Sequence, residues 1–374
     1  MTITNGCLGR LLFVCPLVPY KLPKFMLRQG KKVSHKALTR RRFGSSTEFS
    51  NPEVPKPPYK VLFAGSDKFS CASLEAVLSL DKSQYLSEDV DSRPRGITKQ
   101  YVLIRRCAPS VDLIGEVHVL PPLPFSSFSA SHLLITVSFG YLIPTHLLDL
   151  FPPLNTLNVH PSLLPKYRGA APIQWSIVNG DRTTGLSIQS LSKHKFDEGN
   201  ILAQEEVVIP DGASYTSLED DLSRKGARLL ATTLRNLAYH TANSAPQDIT
   251  TATRAPKIVS EHSHVYWTRQ SAAELERRHR AFSHQYPLWT TLAGKRIQLQ
   301  DVSMSTSSLA RYTALQETPG TAIFDKASES LYIAGIDGEK LVVKSLKTEG
   351  RRVLAAKQWW IGAARQDDSI VFGS

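Results

Sequence analysis

The sequence predicts a doubly wound, mostly parallel α/β domain over about residues 57–240, followed by a small antiparallel β-barrel within 262–374. Three observations predict this. Compact apolar runs alternate with helix-period segments in the first part. The last part breaks into short β-like runs between Gly and Asp-Gly turns. A polar, turn-rich stretch, "TANSAPQDITTATRAPKI", lies between them. At 374 residues, two domains are an ordinary number.

The elements follow in order. "YKVLFAGSDKFS" is an apolar strand run ending at Gly65, and "CASLEAVLSL" places Leu74, Val77 and Leu78 at helical spacing, the first half of a βαβ unit. "HLLITV" and "TLNVH" read as buried strands, with a short helix in "THLLDL" between them. "GAAPIQWSIVNGD" reads as a helix ending at Gly180. "TGLSIQSLS" and "NILAQEEVVIP" alternate like an antiparallel annex. A long helix follows, with Leu218, Leu222, Leu229, Leu230 and Leu234 on one face and an expected Ser217-x-x-Asp220 capping box. Beyond the connection come a charged helix, "SAAELERRHRAFS", and the strand runs "KRIQLQDVSM", "GTAIFDKA", "SLYIAGIDG" and "KLVVKSLKTEG".

The formal charge of +12 is uneven: residues 1–50 hold ten Lys/Arg against one acid, whereas 51–259 balance. Residues 1–56 are therefore expected to be an organellar transit peptide with a Pro-rich linker. A secretory signal centred on "LLFVCPLV" and a basic nucleic-acid-binding tail are the rival readings. Cys7, Cys15, Cys71 and Cys107 form no CxxC pair and no metal spacing, so free thiols and no metal are expected. No apolar stretch reaches the ~18 residues that a membrane span needs.

Asn158 and His160 stand two apart on "TLNVH", so their side chains share one face near a carboxyl end of the sheet, where ligands of open α/β sheets collect. An amide donor and a titratable imidazole suit a developing oxyanion and a moving proton. "KFDEGNI" supplies a carboxylate, Asp197, with Glu198 as the adjacent alternative. Ser162, Leu163, Leu164 and Pro165 form a proline-stiffened loop that could present apolar groups to a flat ligand, and Arg168 could hold a carboxylate or phosphate. No phosphate-cradling GxGxxG or GxxxxGK[ST] occurs.

"NVHPSLLPKYRGAAPIQWSIVNGDRTTGLSIQ" followed by "FDEGNIL" resembles the folate-dependent formyltransferase family, in its branch that acts on charged initiator tRNA. "VLFAGSDKFS" extends the likeness forward, and "APKI", "GKRIQL", "PGTAI" and "EGRRVLAAKQWWIGA" extend it to the end. The resemblance implies a Rossmann-like catalytic domain over 57–240, a linker over 241–261 and an OB-like tRNA-binding barrel over 262–374. It implies transfer of the formyl group of 10-formyltetrahydrofolate to the α-amine of methionine on initiator tRNA, in the mitochondrial matrix, by a monomer. Asn158 and His160 would hold the oxyanion, and Asp197 would orient His160. Ser162, Leu163, Leu164 and Pro165 would line the folate site. Arg93, Arg95, Lys295 and Arg296 would touch tRNA, as would Lys344, Lys347, Arg351 and Arg352. Two departures stand out: the usual Thr-Pro after the first Gly is Ser66-Asp67, and no apolar strand is evident between Leu80 and Asp91. The rivals are a family member with another acceptor, a formyl-folate hydrolase, and a non-catalytic RNA-binding relative.

Overall fold

The computed structural model describes residues 54–80, 101–104, 130–152, 154–193, 195–305, 318–363 and 369–373. The predicted transit segment up to residue 53, and Arg93 and Arg95, lie outside them. The first sheet grows from β1 (Lys60–Gly65), which turns at Gly65 into helix α1 (Lys68–Leu78). Asp67 caps that helix, accepting from the Ser70 N–H. Strand β2 (Tyr101–Ile104) then lies parallel to β1 at the sheet edge. The span between Leu80 and Asp91, where the sequence shows no apolar strand, lies outside the described residues; the second strand follows the basic "SRPRG" stretch. Four residues flanked by charge carry too little apolar pattern to announce themselves.

Next come β3 (His132–Val137), the one-turn helix α2 (Thr145–Leu148), β4 (Thr156–His160) and α3 (Pro172–Asn179). Pro172 occupies the first turn of α3, and Gly180 closes it in the left-handed conformation. The hairpin β5 (Thr183–Ser190) and β6 (Ile201–Val208) completes the sheet, in the order β2-β1-β3-β4-β5-β6. Strands β2, β1, β3 and β4 run parallel, while β5 and β6 are antiparallel additions. Helix α4 (Tyr215–Arg235) packs on α1, burying Leu218, Leu222, Leu230 and Leu234. Its capping box is not Ser217-x-x-Asp220. Ser214 caps one turn earlier, exchanging hydrogen bonds with Ser217. Two serines can reciprocate as a Ser and an acid do, and the pattern beginning at Ser214 therefore passed unread.

A short helix, α5 (Leu237–Ala242), leads into a connecting segment that is stitched to the first sheet. Ala245 and Ile201 exchange both backbone hydrogen bonds, and Arg168 pairs with Thr253 and Ala255. Helix α6 (Ala272–Phe282) straddles two cores. Ala272 and Leu275 lie in the C-terminal core, whereas Ala281 and Phe282 are sealed into the first.

The second sheet comprises β7 (Leu288–Leu292), β8 (Lys295–Met304), β9 (Thr321–Asp325), β10 (Ser330–Ala334), β11 (Lys340–Thr348), β12 (Val353–Ala355) and, after helix α7 (Ala356–Ala363), β13 (Ile370–Val371). All its pairings are antiparallel. The path β13-β9-β10-β11-β8-β7 curls into a half-barrel, and the Gly373 N–H donates to the Thr291 carbonyl at 2.8 Å, drawing its last strand towards its first. Strand β7, "LWTTL", is not among the runs that the sequence pattern singles out. Its turn is legible afterwards: Ala293 and Gly294 both have positive φ, the geometry of a two-residue hairpin.

Among the described residues no helix is long and apolar enough to cross a membrane. Cys71 is disulfide-bonded, against the expectation of a free thiol, and the other three cysteines lie outside the described residues.

Candidate active site

Strand β4 carries Asn158 and His160 to the carboxyl end of the sheet, on one face, as period-two alternation requires. In register, Asn158 lies between Thr136 of β3 and Gln189 of β5. The Thr136 hydroxyl donates to Asn158 Oδ1 at 2.9 Å. The same hydroxyl also stands 3.2 Å from the Leu157 carbonyl; with Oδ1 turned to that hydroxyl, Nδ2 is without a partner among the described residues. His160 is nearly buried; its Nε2 donates to the Tyr167 carbonyl at 2.9 Å, while Nδ1 stands 3.5 Å from Asp197 Oδ1. A carbonyl only accepts, so Nε2 carries a hydrogen, and Nδ1 faces the Asp197 carboxylate.

Asp197 occupies the left-handed region (φ 56°), where a short polar residue is tolerated. Its Oδ2 accepts from the Gly169 N–H at 2.8 Å and its Oδ1 from Gln189 Nε2 at 2.9 Å. Two glycines make this approach possible. A Cβ on Gly169 would meet the Ala255 carbonyl at 2.6 Å, and one on Gly199 would meet the Ser190 carbonyl at 1.7 Å. The adjacent acid, Glu198, turns away to Arg168 and Lys195, each at 3.3 Å.

These groups line a cleft of about 900 Å³. Its walls include the Phe139–Ile143 turn, Pro161, Ile173 and Phe196, with Asp67, Tyr215 and Glu219 also at its surface. Burial raises the carboxyl pKa of Asp67 and Glu219 above the ordinary range, and it raises the Tyr215 phenol further, which then donates to Glu219 at 2.5 Å. Near Tyr167, burial and Asp181 push the phenol up to about 12, keeping it a donor.

Other predicted site residues take different places. Ser162, Leu163, Leu164 and Pro165 are not among those lining this cleft. Ser187 Oγ donates to the Ser162 carbonyl and accepts from the Leu164 N–H, and Gln204 donates to the Leu164 carbonyl, so the loop braces the end of β4 against the β5–β6 hairpin. Arg168, read as a candidate anion clamp, spends its guanidinium on Gln247 and Glu198. Lys295 is exposed at the β7–β8 turn and does not line the cleft. Arg296 stacks over Trp289 at 4.1 Å and donates to Ser260. Sequence reasoning missed Thr136, Gln189, Gln247 and the Phe139–Ile143 wall; single polar residues on strands and loops carry no period to reveal them. Among the described residues no cluster could hold a metal ion.

The open α/β sheet thus brings an amide, an imidazole and a carboxylate together in one cleft at its carboxyl end. The family profile described as formyl transferase matches residues 127–234, and that of the formyl transferase C-terminal domain matches 257–364. The mitochondrial methionyl-tRNA formyltransferase of Homo sapiens is 33% identical over 296 residues, covering 76% of this chain and 73% of that one. The methionyl-tRNA formyltransferase of Staphylococcus aureus (strain JH1) is 30% identical over 315 residues, covering 81% and 96%. Among solved structures, the sugar 3N-formyl transferase WlaRD, crystallised in the presence of dTDP and 5-N-formyl-THF, shares the fold. Its TM-score is 0.53 at 16% identity, covering 79% of this chain and 100% of that one. The chain belongs to the methionyl-tRNA formyltransferase family.

Proposed function

We propose that this enzyme transfers the formyl group of 10-formyltetrahydrofolate to the α-amine of methionyl-initiator-tRNA, with Asn158, His160 and Asp197 as its reacting groups. The observation that carries this reading is the orientation of Asn158: Thr136 holds its carbonyl, leaving Nδ2 to donate into the cleft. Attack of the neutral amine on the formyl carbon forms the new N–C bond and places negative charge on the formyl oxygen, beside that donor. Collapse breaks the bond to the folate nitrogen, which gains a proton as the amine loses one. His160, held between Tyr167 and Asp197, is the group that moves it. The amine is itself the nucleophile, so no covalent enzyme intermediate is needed.

A cleft of about 900 Å³ with the apolar Phe139–Ile143 wall fits a folate-sized ligand. Residues 262–374 form the tRNA-binding domain, 57–240 the catalytic domain, and 1–56 a transit peptide directing a monomer to the mitochondrial matrix. Similarity to mitochondrial methionyl-tRNA formyltransferases supports that address. The test is to supply charged initiator tRNA and 10-formyltetrahydrofolate and to assay formyl-methionine. Asn158→Ala is expected to lower kcat by ~10²–10³, the value of one oxyanion donor. His160→Ala and Asp197→Ala should also remove most turnover in folded protein. Near-normal turnover of purified His160→Ala would show that the roles are misassigned.

A further inference from the structure

We propose that Gln247 is a positioning residue for Asp197, acting through Gln189. It rests on the formyl-transfer reading above and lies in the connecting segment, outside every motif that the sequence made visible. Its Oε1 accepts from Arg168 twice, from Nε at 2.9 Å and from Nη2 at 2.7 Å. A guanidinium can only donate, so the Gln247 amide has one permitted orientation. Its Nε2 then offers two hydrogens to three acceptors, the Gly199 carbonyl at 2.8 Å, the Asp197 carbonyl at 2.9 Å and Gln189 Oε1 at 3.2 Å, the last sharing a hydrogen.

Polarity therefore propagates. With its Oε1 engaged by Gln247, Gln189 must present Nε2 to Asp197, and does so at 2.9 Å from Oδ1. The reverse amide would set a carbonyl against the carboxylate. Gln189 is 1% exposed, so water could not relieve that clash. The backbone of the segment is anchored on both sides of Gln247, at Ala245 by Ile201 and at Thr253 by Arg168. Arg168 is seated in turn by Glu198. One side chain thus holds the backbone of the Asp197–Gly199 loop and sets the donor that faces the Asp197 carboxylate.

The test uses the full-length enzyme and steady-state formylation with both substrates varied. Gln247→Met keeps length and volume but removes every hydrogen bond. Its kcat should fall by ~10- to 100-fold, the penalty for loosened placement of a reacting group, with KM for both substrates within about twofold of wild type. In an Asp197→Asn background the same change should cost no more than about twofold further, since the two act as one unit. Gln189→Met provides a second route should Gln247→Met fold poorly: it should lose a similar amount, and the double variant should be no worse than the poorer single. Wild-type kcat in Gln247→Met, or in Gln189→Met, overturns the proposal. So do multiplicative losses in the Asp197→Asn background, which would mean that Gln247 acts elsewhere. A wild-type enzyme that does not formylate initiator tRNA at all refutes the functional reading instead.

Discussion

Replacing Gly199 by alanine drives a methyl group into the backbone of β5. The new Cβ would lie 1.7 Å from the Ser190 carbonyl oxygen, 2.6 Å from its carbon and 2.8 Å from its hydroxyl. Ordinary contact begins at 3.4 Å, so relief requires a retreat of about 1.7 Å, the difference between the two distances. Ser190 cannot easily yield. Its N–H donates to the Asn200 carbonyl, and its hydroxyl accepts from the Asn200 N–H. The 197–199 loop must move instead, and Asp197 with it, breaking carboxylate hydrogen bonds now at 2.8 and 2.9 Å. Overpacking of this kind costs ~1–3 kcal/mol of stability. Misplacing a reacting group by more than ~1 Å costs ~10² in rate. Gly199→Ala should therefore melt several degrees low and formylate about a hundredfold more slowly, with the loss in kcat. Gly362→Ala is the control, since a Cβ there meets nothing within 4 Å on an exposed helix. If Gly199→Ala keeps wild-type kcat, the contact between Ser190 and Gly199 does not place Asp197.

Thr136→Val is nearly isosteric but removes the hydroxyl that holds Asn158 Oδ1; with a hydrogen bond worth ~1 kcal/mol, kcat should drop about five- to tenfold in steady-state assays. His279 on α6 is half-buried, its Nδ1 enclosed without a partner among the described residues, and burial lowers its pKa below 6.5. The folded state thus disfavours the charged ring: the stability is fully present above pH 6.5 and is lost as pH falls below it. Melting temperatures measured from pH 8 to 5 should decline less for His279→Gln than for wild type. Arg296→Ala should destabilise the C-terminal domain by ~1–2 kcal/mol through its lost stacking on Trp289, read by thermal melting. Lys295→Ala should instead leave melting unchanged and reduce the salt dependence of tRNA binding by about one phosphate contact.

Much of the fold was legible because its core elements carry strong periods. The apolar-rich β3, the Asn-x-His strand β4 and the Pro-to-Gly helix α3 each show both a pattern and its punctuation. Strand β2 escaped because four residues cannot establish a period, and the α4 cap escaped because Ser214 pairs with a serine rather than an acid. The site divides in the same way. Asn158 and His160 share a strand face that spacing alone exposes, whereas Asp197 comes from a loop 37 residues on, and Gln247 from a segment 50 residues beyond that. Loops that meet through backbone hydrogen bonds and glycine clearances leave no periodic trace.

Helix α6 has a consequence for how the molecule comes apart. Because Ala272 and Leu275 belong to one core while Ala281 and Phe282 belong to the other, neither half can be excised cleanly at residue 261. A catalytic fragment ending there would lose Phe282, which is wholly buried, and the Arg277 and Arg280 bonds to the Val178 and Ala213 carbonyls. It would expose an apolar socket beside α3 and be prone to aggregate. A nick in that connection would likewise sever a covalent tie but leave the rivet in place, so the two pieces should co-purify and melt together as a single cooperative unit.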